Sequence, residues 1–282
     1  MKNIFWAIFL LFYPCHVFSQ TNSESKYLLI NAADRIGFAL IDLTDPYLSP
    51  LTYNGYGLTY EHSSAQFFNV DNDRLSKEGR LSAWTGLAVN PQYSASMLYA
   101  GTKYSWGMFY HLDILPQFHI KVGGNAAIDL GYKNLARNVN NPINVDLSVN
   151  LNFAAKASFA IQTRRQAILL NYELESPILG TMFVPMGGAS YFEMFELGTL
   201  ANSVHFSSLH NKLGFTGQFS LAYPSKHSTW QIRITSAQLE YQANELLFKR
   251  NMYSISLGVK YDLNIFSGRE KIAPKNFISP DN

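Results

Sequence analysis

The chain has 282 residues, and its 22 lysine and arginine residues against 20 aspartate and glutamate residues give a formal net charge of +2, which argues against a nucleic-acid-binding protein. Charged residues make up 15% of the chain and aromatic residues also reach 15%, whereas soluble domains carry about 25% charged residues. Cys15 is the only cysteine, which excludes an internal disulfide and a cysteine-ligated metal site.

Residues 1–19 are predicted to form a secretory signal peptide. Lys2 provides the positive start, residues 4–12 form an apolar run, and small residues precede a cleavage site after residue 19. The apolar run is too short for a membrane-spanning helix, which needs about 20 residues. The sequence therefore predicts an exported protein with a β-barrel domain over 20–266 and a polar C-terminal tail over 267–282.

Apolar and polar residues alternate with a period of two along most of the remaining chain. A strand points successive side chains to opposite faces, so this alternation predicts strands with one apolar and one polar face. The alternating segments are, in chain order, 53–64, 80–90, 98–110, 118–132, 143–161, 168–175, 213–223, 230–241 and 253–265. Within 230–241 the alternation changes phase near Ser236, which predicts a β-bulge.

The segment from Ile143 to Ile161 shows this pattern most clearly. Every odd-numbered residue in it is apolar, over a length several times that of an ordinary strand of about 5–6 residues. A strand that crosses a bilayer beside a polar lumen has this length and this alternation. The sequence therefore predicts an all-β fold, a closed antiparallel transmembrane β-barrel, with a soluble secreted β-sandwich as the alternative.

Loop lengths set the predicted number of strands. Nine segments follow from the alternation, and 35–43 is added as the first of ten because single-chain barrels usually have an even number of strands. Periplasmic turns are short and external loops are long, which places 133–142 and 179–210 outside and leaves 69–79 as a long inner turn. Twelve strands are the alternative, if 183–210 contributes a hairpin.

Charged residues of both signs fall on the polar face, which would line the lumen. They are Lys121, Asp129, Asp146, Lys156, Glu173, Glu175, Arg233 and Lys260. A narrow barrel is largely filled by its own side chains, so ion pairs that cross the lumen and form a plug are one interpretation. A selective pore is the other, although the sequence lacks the single-sign ring of charges that would favour a pore.

Two His-x-Ser pairs are the candidates for catalysis. Residues two apart on a strand share a face, which would place a histidine base beside a serine nucleophile, as in outer-membrane phospholipase and lipid A deacylase barrels. Parity places both His62/Ser64 and His205/Ser207 on the apolar face, but only the second pair falls near the outer leaflet. Lipid hydrolysis with His205 as base and Ser207 as nucleophile is the enzymatic alternative, and polar residues at a strand rim are the non-enzymatic one.

No cofactor or metal is predicted, because the chain has neither a phosphate-binding glycine motif nor histidines at metal-ligand spacing. The segment 179–210 contains Gly187 and Gly188 followed by aromatic residues, at a predicted external position where loops often contact partners. The predicted partners are outer-membrane lipid and an envelope protein bound by this segment, unless the segment instead packs over the barrel mouth. The oligomeric state is left open.

Two stretches resemble a known family. The first is Asp-Pro-Tyr-Leu-Ser-Pro-Leu-Thr-Tyr-Asn-Gly at 45–55. The second comprises Pro-Ile-Leu-Gly at 177–180, Phe183, Pro185, Ser-Tyr-Phe-Glu at 190–193, Phe195 and Val-His-Phe-Ser-Ser-Leu-His-Asn at 204–211. On these residues the chain resembles an uncharacterised family of outer-membrane barrel proteins from Bacteroidetes-type bacteria, a domain of unknown function. The resemblance implies export and a barrel fold, and it assigns no catalytic residue.

These observations together predict an integral β-barrel protein of the bacterial outer membrane. Its role would be structural, or an interaction with another envelope component, or conduction through a narrow channel. Lipid hydrolysis by a His-x-Ser pair is the alternative from a different class of function.

Overall fold

The computed structural model describes residues 27–69, 72–139, 141–163, 167–225, 228–263, 277–278 and 280. The predicted signal peptide, most of the predicted tail and both edges of the predicted barrel domain lie outside these residues. Within the described ranges, no helix is long and apolar enough to cross a membrane.

Most of the described chain is β-strand. The elements are, in chain order, β1 (Tyr27–Leu28), β2 (Ile30–Asp45), β3 (Ser49–Asn69), β4 (Asn72–Val89), β5 (Ser96–Leu115), β6 (Phe118–Asn134), β7 (Ile143–Gln162), β8 (Ala167–Phe183), α1 (Tyr191–Glu196), a 3-10 helix (Leu200–Ser203), β9 (Val204–Ser208), β10 (Lys212–Pro224), β11 (Thr229–Ala243), β12 (Leu246–Leu263) and β13 (Phe277–Ile278). β1 and β13 pair in parallel as a separate two-stranded sheet.

Ten strands, β2–β8 and β10–β12, close into one antiparallel barrel. β12 returns to pair with β2, and β10 closes the ring by pairing with both β11 and β8. The short strand β9 pairs with the end of β8, from Leu179 to Phe183. The predicted closed antiparallel barrel of ten strands is confirmed. The twelve-stranded alternative is wrong, because 183–210 supplies one short strand instead of a hairpin.

The two ends of the barrel differ in the length of their connections. At the end where the chain enters β2 and leaves β12, here called the terminal end, the connections are 70–71, 116–117, 163–166 and 225–228. At the opposite end, the loop end, they are 46–48, 90–95, 135–142, 184–211 and 244–245. The long inner turn predicted over 69–79 is wrong, because β3 continues to Asn69 and β4 begins at Asn72.

Outward side chains form an apolar belt to which all ten barrel strands contribute. Members include Ile36, Phe38 and Leu40 on β2, Tyr56 and Leu58 on β3, Leu147, Val149, Leu151 and Phe153 on β7, and Ile255 and Leu257 on β12, which are between 45% and 68% exposed. Soluble monomers rarely expose contiguous apolar patches larger than a few hundred Å². The β-sandwich alternative, which would bury this face against a second sheet, is therefore wrong.

The phase change in β11 marks the limit of the apolar belt toward the loop end of that strand. β11 pairs with β10 and β12 in uninterrupted register across Ser236, so the predicted β-bulge is wrong. Below this residue, Ile232 and Ile234 are exposed on the outside. Above it, the outward residues Gln238 and Glu240 are polar. The alternation inverts because, from Ser236 toward the loop end, the inward face of β11 contacts an apolar interior and its outward face is polar.

That apolar interior closes the loop end of the lumen and is called the apolar cap. It consists of Ala39, Ile41, Leu43, Tyr47, Leu48, Tyr53, Trp84, Ala88, Met97, Tyr99, Leu135, Met182, Val184 and Phe248. The loop-end connections contribute to it, and α1 lies over it. α1 begins with a capping box, in which the Ser190 hydroxyl accepts from the Glu193 backbone N–H and the Glu193 carboxylate accepts from the Ser190 N–H.

Candidate functional site

The barrel lumen is the candidate functional site, and it is divided into zones along its length. A cavity of about 600 Å³, the vestibule, lies at the terminal end, where Pro116 and Pro224 line it. A layer of ion pairs follows. Beyond that layer lies a cavity of about 100 Å³, the inner chamber, bounded by Arg233, Trp84 and Arg250 among others. The apolar cap closes the remaining length.

Glu61 and Glu173 hold the ion-pair layer together. Glu61 on β3 accepts hydrogen bonds from Arg35 Nη1 at 2.7 Å and from Arg233 Nη1 at 2.6 Å. Arg80 on β4 donates from Nη2 to both carboxylate oxygens of Glu173 on β8, at 2.7 and 2.8 Å. β4 and β8 are not neighbours in the ring, so the Arg80–Glu173 pair crosses the lumen and obstructs it.

Two lysines extend this layer around the wall. Lys156 on β7 forms ion pairs with Glu78 on β4 and, at 3.4 Å, with Glu173. Lys103 on β5 forms an ion pair with Glu175 on β8. The charged groups therefore satisfy one another across the lumen, as buried charges must. In the described ranges, no group of three or more His, Cys, Asp or Glu is arranged to hold a metal ion.

A second charged cluster lies beside the cap, at the loop end of the barrel interior. Lys133 Nζ is 3.0 Å from Asp45 Oδ2 and 2.8 Å from Asp146 Oδ1. The carboxylate of Asp45 also accepts from Asn144 Nδ2 at 2.8 Å, and Tyr241 donates to Asp146 at 2.9 Å. The cluster ties β2, β6, β7 and β11 together at the level where the loop-end connections enter the barrel.

Two tyrosines of the loop-end connections anchor the cap. Tyr191 of α1 donates its hydroxyl proton to Asn144 Oδ1 at 2.8 Å and accepts from the Val145 N–H at 2.9 Å. Tyr47 donates to the Ala189 carbonyl at 2.9 Å. Burial raises the pKa of Tyr191, and burial together with the nearby Asp45 raises the pKa of Tyr47 to about 12. Both hydroxyls are therefore protonated donors at physiological pH.

The structure places all eight charged residues predicted for the lumen on its walls. Lys121, Lys156, Glu173, Arg233 and Lys260 line the vestibule, Asp129 and Glu175 line the inner chamber, and Asp146 lines a smaller cavity below the cap. They are not one ring but are distributed over the length of the barrel. Arg80 and Lys103 also line the inner chamber and Lys133 lines the smaller cavity, so each cavity contains both signs of charge, which is the arrangement expected of ion pairs and not of an ion-selective ring.

Sequence reasoning missed about half of the charged residues of the lumen. Those missed are Arg35, Glu61, Glu78, Arg80, Lys103, Lys133, Lys212 and Arg250, all of which line these cavities. Several lie where alternation is weak or beyond the ends of the alternating segments, as Arg250 does. On each strand, the odd or even numbering that marks the inward face can be continued beyond the alternating segment, and this would have identified them.

The predicted pair His205 and Ser207 does not face outward. Ser207 is 1% exposed, whereas Val204 and Phe206 are 58% and 59% exposed on the outer side. The parity argument was wrong because it was carried from β10 to β9, which pair with different parts of β8. An extra residue in β8, Ile178, inverts the two faces between those parts, so inward residues are even-numbered on β10 and odd-numbered on β9. The pair therefore points into the barrel and cannot contact membrane lipid.

The other pair, His62 and Ser64, does lie on the outer face, near the terminal end. His62 Nδ1 is 2.8 Å from Asp34 Oδ1, the residue directly opposite it on β2. Tyr60 and Tyr261 also donate to the Asp34 carboxylate, at 2.7 and 2.6 Å. Sequence analysis did not identify Asp34, because a cross-strand neighbour follows from the register and not from local spacing.

Comparison with known families and structures finds one family and several barrels. The model of the family described as "Protein of unknown function (DUF3316)" matches residues 4–270. No curated protein matches the chain.

Several solved structures are similar to the chain. The outer membrane protease OmpT from Escherichia coli has a TM-score of 0.48 and 6% identity, with 86% of this chain and 99% of that chain covered. The transport unit of the autotransporter AIDA-I from Escherichia coli has a TM-score of 0.42 and 7% identity, with 92% and 97% covered. The translocator domain of the autotransporter NalP from Neisseria meningitidis has a TM-score of 0.39 and 10% identity, with 85% and 89% covered.

Proposed function

The chain belongs to the family described as "Protein of unknown function (DUF3316)". We propose that it is an integral β-barrel protein of the bacterial outer membrane whose lumen is closed to solutes. The observation that carries the proposal is the apolar belt around a barrel with a charged interior. Such a surface is stable against hydrocarbon and unfavourable in water.

The height of the belt supports this assignment. On β10 the outward apolar residues extend from Leu213 to Tyr223. Ten steps of about 3.3 Å along a strand tilted by about 40° correspond to roughly 25 Å along the barrel axis, which is the height of the apolar band in outer-membrane barrels. The short connections at the terminal end and the long ones at the loop end favour a periplasmic terminal end.

The closed lumen favours a structural or interaction role over conduction. The Arg80–Glu173 pair spans the barrel, and the apolar cap closes the loop-end half of the interior together with the ion pairs of Lys133. An ion that crossed the barrel would have to break the cross-lumen pairs and then pass through a packed apolar core. We therefore expect no discrete conductance when the purified protein is reconstituted in a planar bilayer.

Two measurements on one detergent-purified sample test the proposal. Unheated protein should migrate differently from heated protein on a denaturing gel, because a closed barrel resists unfolding by detergent. The same sample should show no conductance steps in a bilayer. Extraction into buffer without detergent would contradict the membrane assignment, and discrete conductance steps would contradict the closed lumen.

The segment predicted to bind an envelope partner presents an apolar surface. On α1 and directly after it, Phe192, Phe195 and Leu197 are 72%, 66% and 74% exposed. Clustered exposed apolar side chains mark interaction surfaces, and we propose that this one contacts another envelope protein. A photo-crosslinking residue at position 195 should then form a protein adduct in cells, and adducts with lipid alone would contradict this part of the proposal.

Lipid hydrolysis remains a second candidate function because of the Asp34–His62 contact. Asp34 would hold the imidazole of His62, which would take the proton of the Ser64 hydroxyl as that oxygen attacks a lipid ester carbonyl. The ester C–O bond would break, and the lysolipid alcohol would leave with the proton from His62. His62 would then deprotonate a water that cleaves the Ser64 acyl ester, which releases the fatty acid and returns the proton to Ser64. The 2.8 Å separation of Asp34 and His62 and the outward face of Ser64 support this candidate, in place of His205 and Ser207.

The hydrolase candidate is tested by fatty-acid release from phospholipid in mixed micelles. Ser64→Ala should abolish the release. Ser207→Ala is the matched control, because its hydroxyl faces the interior, and it should leave the release unchanged. Equal release by Ser64→Ala and the unmodified protein would eliminate the candidate.

A further inference from the structure

We propose that the inner chamber is a binding site for one small monovalent inorganic anion, chloride in the cell. The site would be formed by Arg80, Arg233, Arg250 and Trp84, which all line the chamber. The proposal concerns the interior of the barrel and goes beyond the proposed membrane assignment. It rests on unpaired hydrogen-bond donors, on a charge imbalance and on the enclosure of the chamber.

The first observation is a concentration of unpaired donors. In the described part of the chain, seven buried side-chain nitrogen or oxygen atoms have no hydrogen-bond partner. Four of them are N–H groups on the chamber lining, namely the Nε groups of Arg80, Arg233 and Arg250 and the Nε1 group of Trp84. Buried donors normally find an acceptor. Because all four can only donate, a group bound in the chamber must accept, which an anion or a water molecule can do, and the charge imbalance favours the anion.

The second observation is an imbalance of charge. Among the described residues, six inward cations form ion pairs with six inward carboxylates, namely Arg35, Arg80, Lys103, Lys133, Lys156 and Arg233 with Asp45, Glu61, Glu78, Asp146, Glu173 and Glu175. Of the described charged groups that line the inner chamber and the smaller cavity beside Asp146, Lys212, Arg250 and Asp129 form no ion pair, which leaves two cations against one carboxylate. Uncompensated charge is very costly in a desolvated interior, so one monovalent anion would restore neutrality.

The imbalance is located beside the chamber. Arg250 and Asp129 line the chamber, and Lys212 lines the smaller cavity, which shares Trp84 and Arg250 with the chamber. Lys212 Nζ contacts the neutral acceptors Ser148 Oγ at 3.0 Å and Asn150 Oδ1 at 2.8 Å. Arg250 donates to the Tyr99 hydroxyl at 2.7 Å and lies 5.3 Å from the Trp84 ring.

The size and enclosure of the chamber select the class of anion. Its volume of about 100 Å³ accommodates a halide and a few waters, since a water occupies about 30 Å³ in the liquid. A divalent anion such as sulfate would reverse the imbalance instead of cancelling it. Ion pairs separate the chamber from the vestibule and the cap separates it from the loop end, so the anion would be acquired during folding.

Bromide replaces chloride and can be located by anomalous diffraction. The full-length protein would be unfolded, refolded into detergent with bromide as the only small anion, and crystallised. The proposal predicts an anomalous peak inside the chamber, within hydrogen-bond distance of Arg250 or Trp84. Peaks confined to the protein surface, or a chamber occupied by water without anomalous signal, would overturn it.

Variants provide a second test that does not need crystals. The temperature at which the folded gel band disappears should rise for the unmodified protein when gluconate, which is too large for the chamber, is replaced by chloride during refolding. Arg250→Met removes the excess charge, so its transition should no longer depend on chloride. Lys249→Met is the matched control, because Lys249 lies on the outside, and it should keep the dependence.

Trp84→Phe keeps the test decisive if Arg250→Met does not fold. It removes one donor while preserving an aromatic side chain in the cap, and it should weaken the chloride dependence without abolishing folding. Equal chloride dependence in the unmodified protein and in both variants would contradict the anion site. None of these outcomes bears on whether the barrel is in a membrane or conducts ions, so failure here is separable from failure of the proposed function.

Discussion

At the scale of single residues, the lumen depends on charges that are buried together. Glu61 accepts from two arginines and Glu173 from one, all inside the barrel wall. A buried ion pair contributes little net stability compared with an apolar pair, but loss of one partner leaves the other charge uncompensated. The consequences of substitution should therefore depend strongly on whether one or both partners are removed.

Arg80→Met should destabilise the folded barrel by about 3–5 kcal/mol, because it leaves Glu173 without its bidentate partner. The double variant Arg80→Met with Glu173→Leu should recover much of that loss. Urea unfolding followed by fluorescence measures both. Lys249→Met, which breaks an exposed ion pair with Glu240, is the control and should cost about 0–1 kcal/mol. An Arg80→Met variant as stable as the Lys249→Met control would contradict the proposed dependence of the barrel on its buried ion pairs.

Tyr47 makes the cap sensitive to alkaline pH. Its pKa in the folded protein is about 12, above the ordinary value of 10.0, so folding favours the protonated hydroxyl. The stability that this preference contributes is fully present below pH 10 and is lost as the pH rises from 10 to 12. The difference in absorbance titration between the unmodified protein and Tyr47→Phe should show one tyrosine with a midpoint near 12, and a midpoint near 10 would contradict its burial.

At the scale of elements, alternation in the sequence predicted the strands well and their surroundings less well. The segment 143–161 became β7 with the expected outward face. The phase change at Ser236 was mistaken for a bulge, because period-two alternation reports which face is apolar and not whether the apolar face meets lipid or a core. The ends of β3 and β4 were missed for a related reason: near the terminal end neither face of these strands is uniformly apolar.

The upper limit of the belt on β11 can be tested with two substitutions on one face. Ile234→Lys should cost about 2–4 kcal/mol, because it places a charge on the part of the strand that faces hydrocarbon. Gln238→Lys, four residues further along the same face, should cost no more than about 1 kcal/mol if that part lies at or beyond the interface. Folding yield into lipid vesicles and urea unfolding measure both, and equal costs at the two positions would contradict the boundary at Ser236.

The site was less predictable than the strands. Strand parity was sufficient to place Lys156 or Glu173 inside, but the partner of each depends on which strands face each other across the ring. The contact between Asp34 and His62 likewise requires the register of β2 against β3. The face predicted for Ser207 was wrong because residues 209–211 separate β9 from β10, which pair with different parts of β8. The alternation does not show that one strand has ended and another has begun.

At the scale of the whole molecule, the two halves of the barrel interior differ in polarity. The terminal-end half is polar and contains the vestibule and the ion pairs, while the loop-end half contains an apolar core like that of a soluble protein. On β11 the outer surface shows the reverse distribution, with the belt toward the terminal end and polar residues toward the loop end. This arrangement places the solute barrier in two independent layers.

Removal of the covering segment should therefore leave the barrel closed. The ends of the segment are adjacent, since the Val184 N–H donates to the Ser203 carbonyl at 2.7 Å, so residues 186–202 can be replaced by a short glycine linker. The shortened protein should still fold and should show no conductance steps, because the ion-pair layer and the apolar cap both remain. Conductance in this variant would show that residues 186–202 themselves close the lumen.

Lipid chains should contact the outside of the barrel and not its interior, and three tryptophans can report this contact. Trp106 and Trp230 are exposed on the outside, at 44% and 58%, whereas Trp84 points inward and is 8% exposed. Variants that retain one of these tryptophans would be folded into vesicles of lipid with brominated acyl chains, which quench fluorescence on contact. We expect strong quenching of Trp106 and Trp230 and little quenching of Trp84. Equal quenching of all three, or none of any, would contradict this expectation.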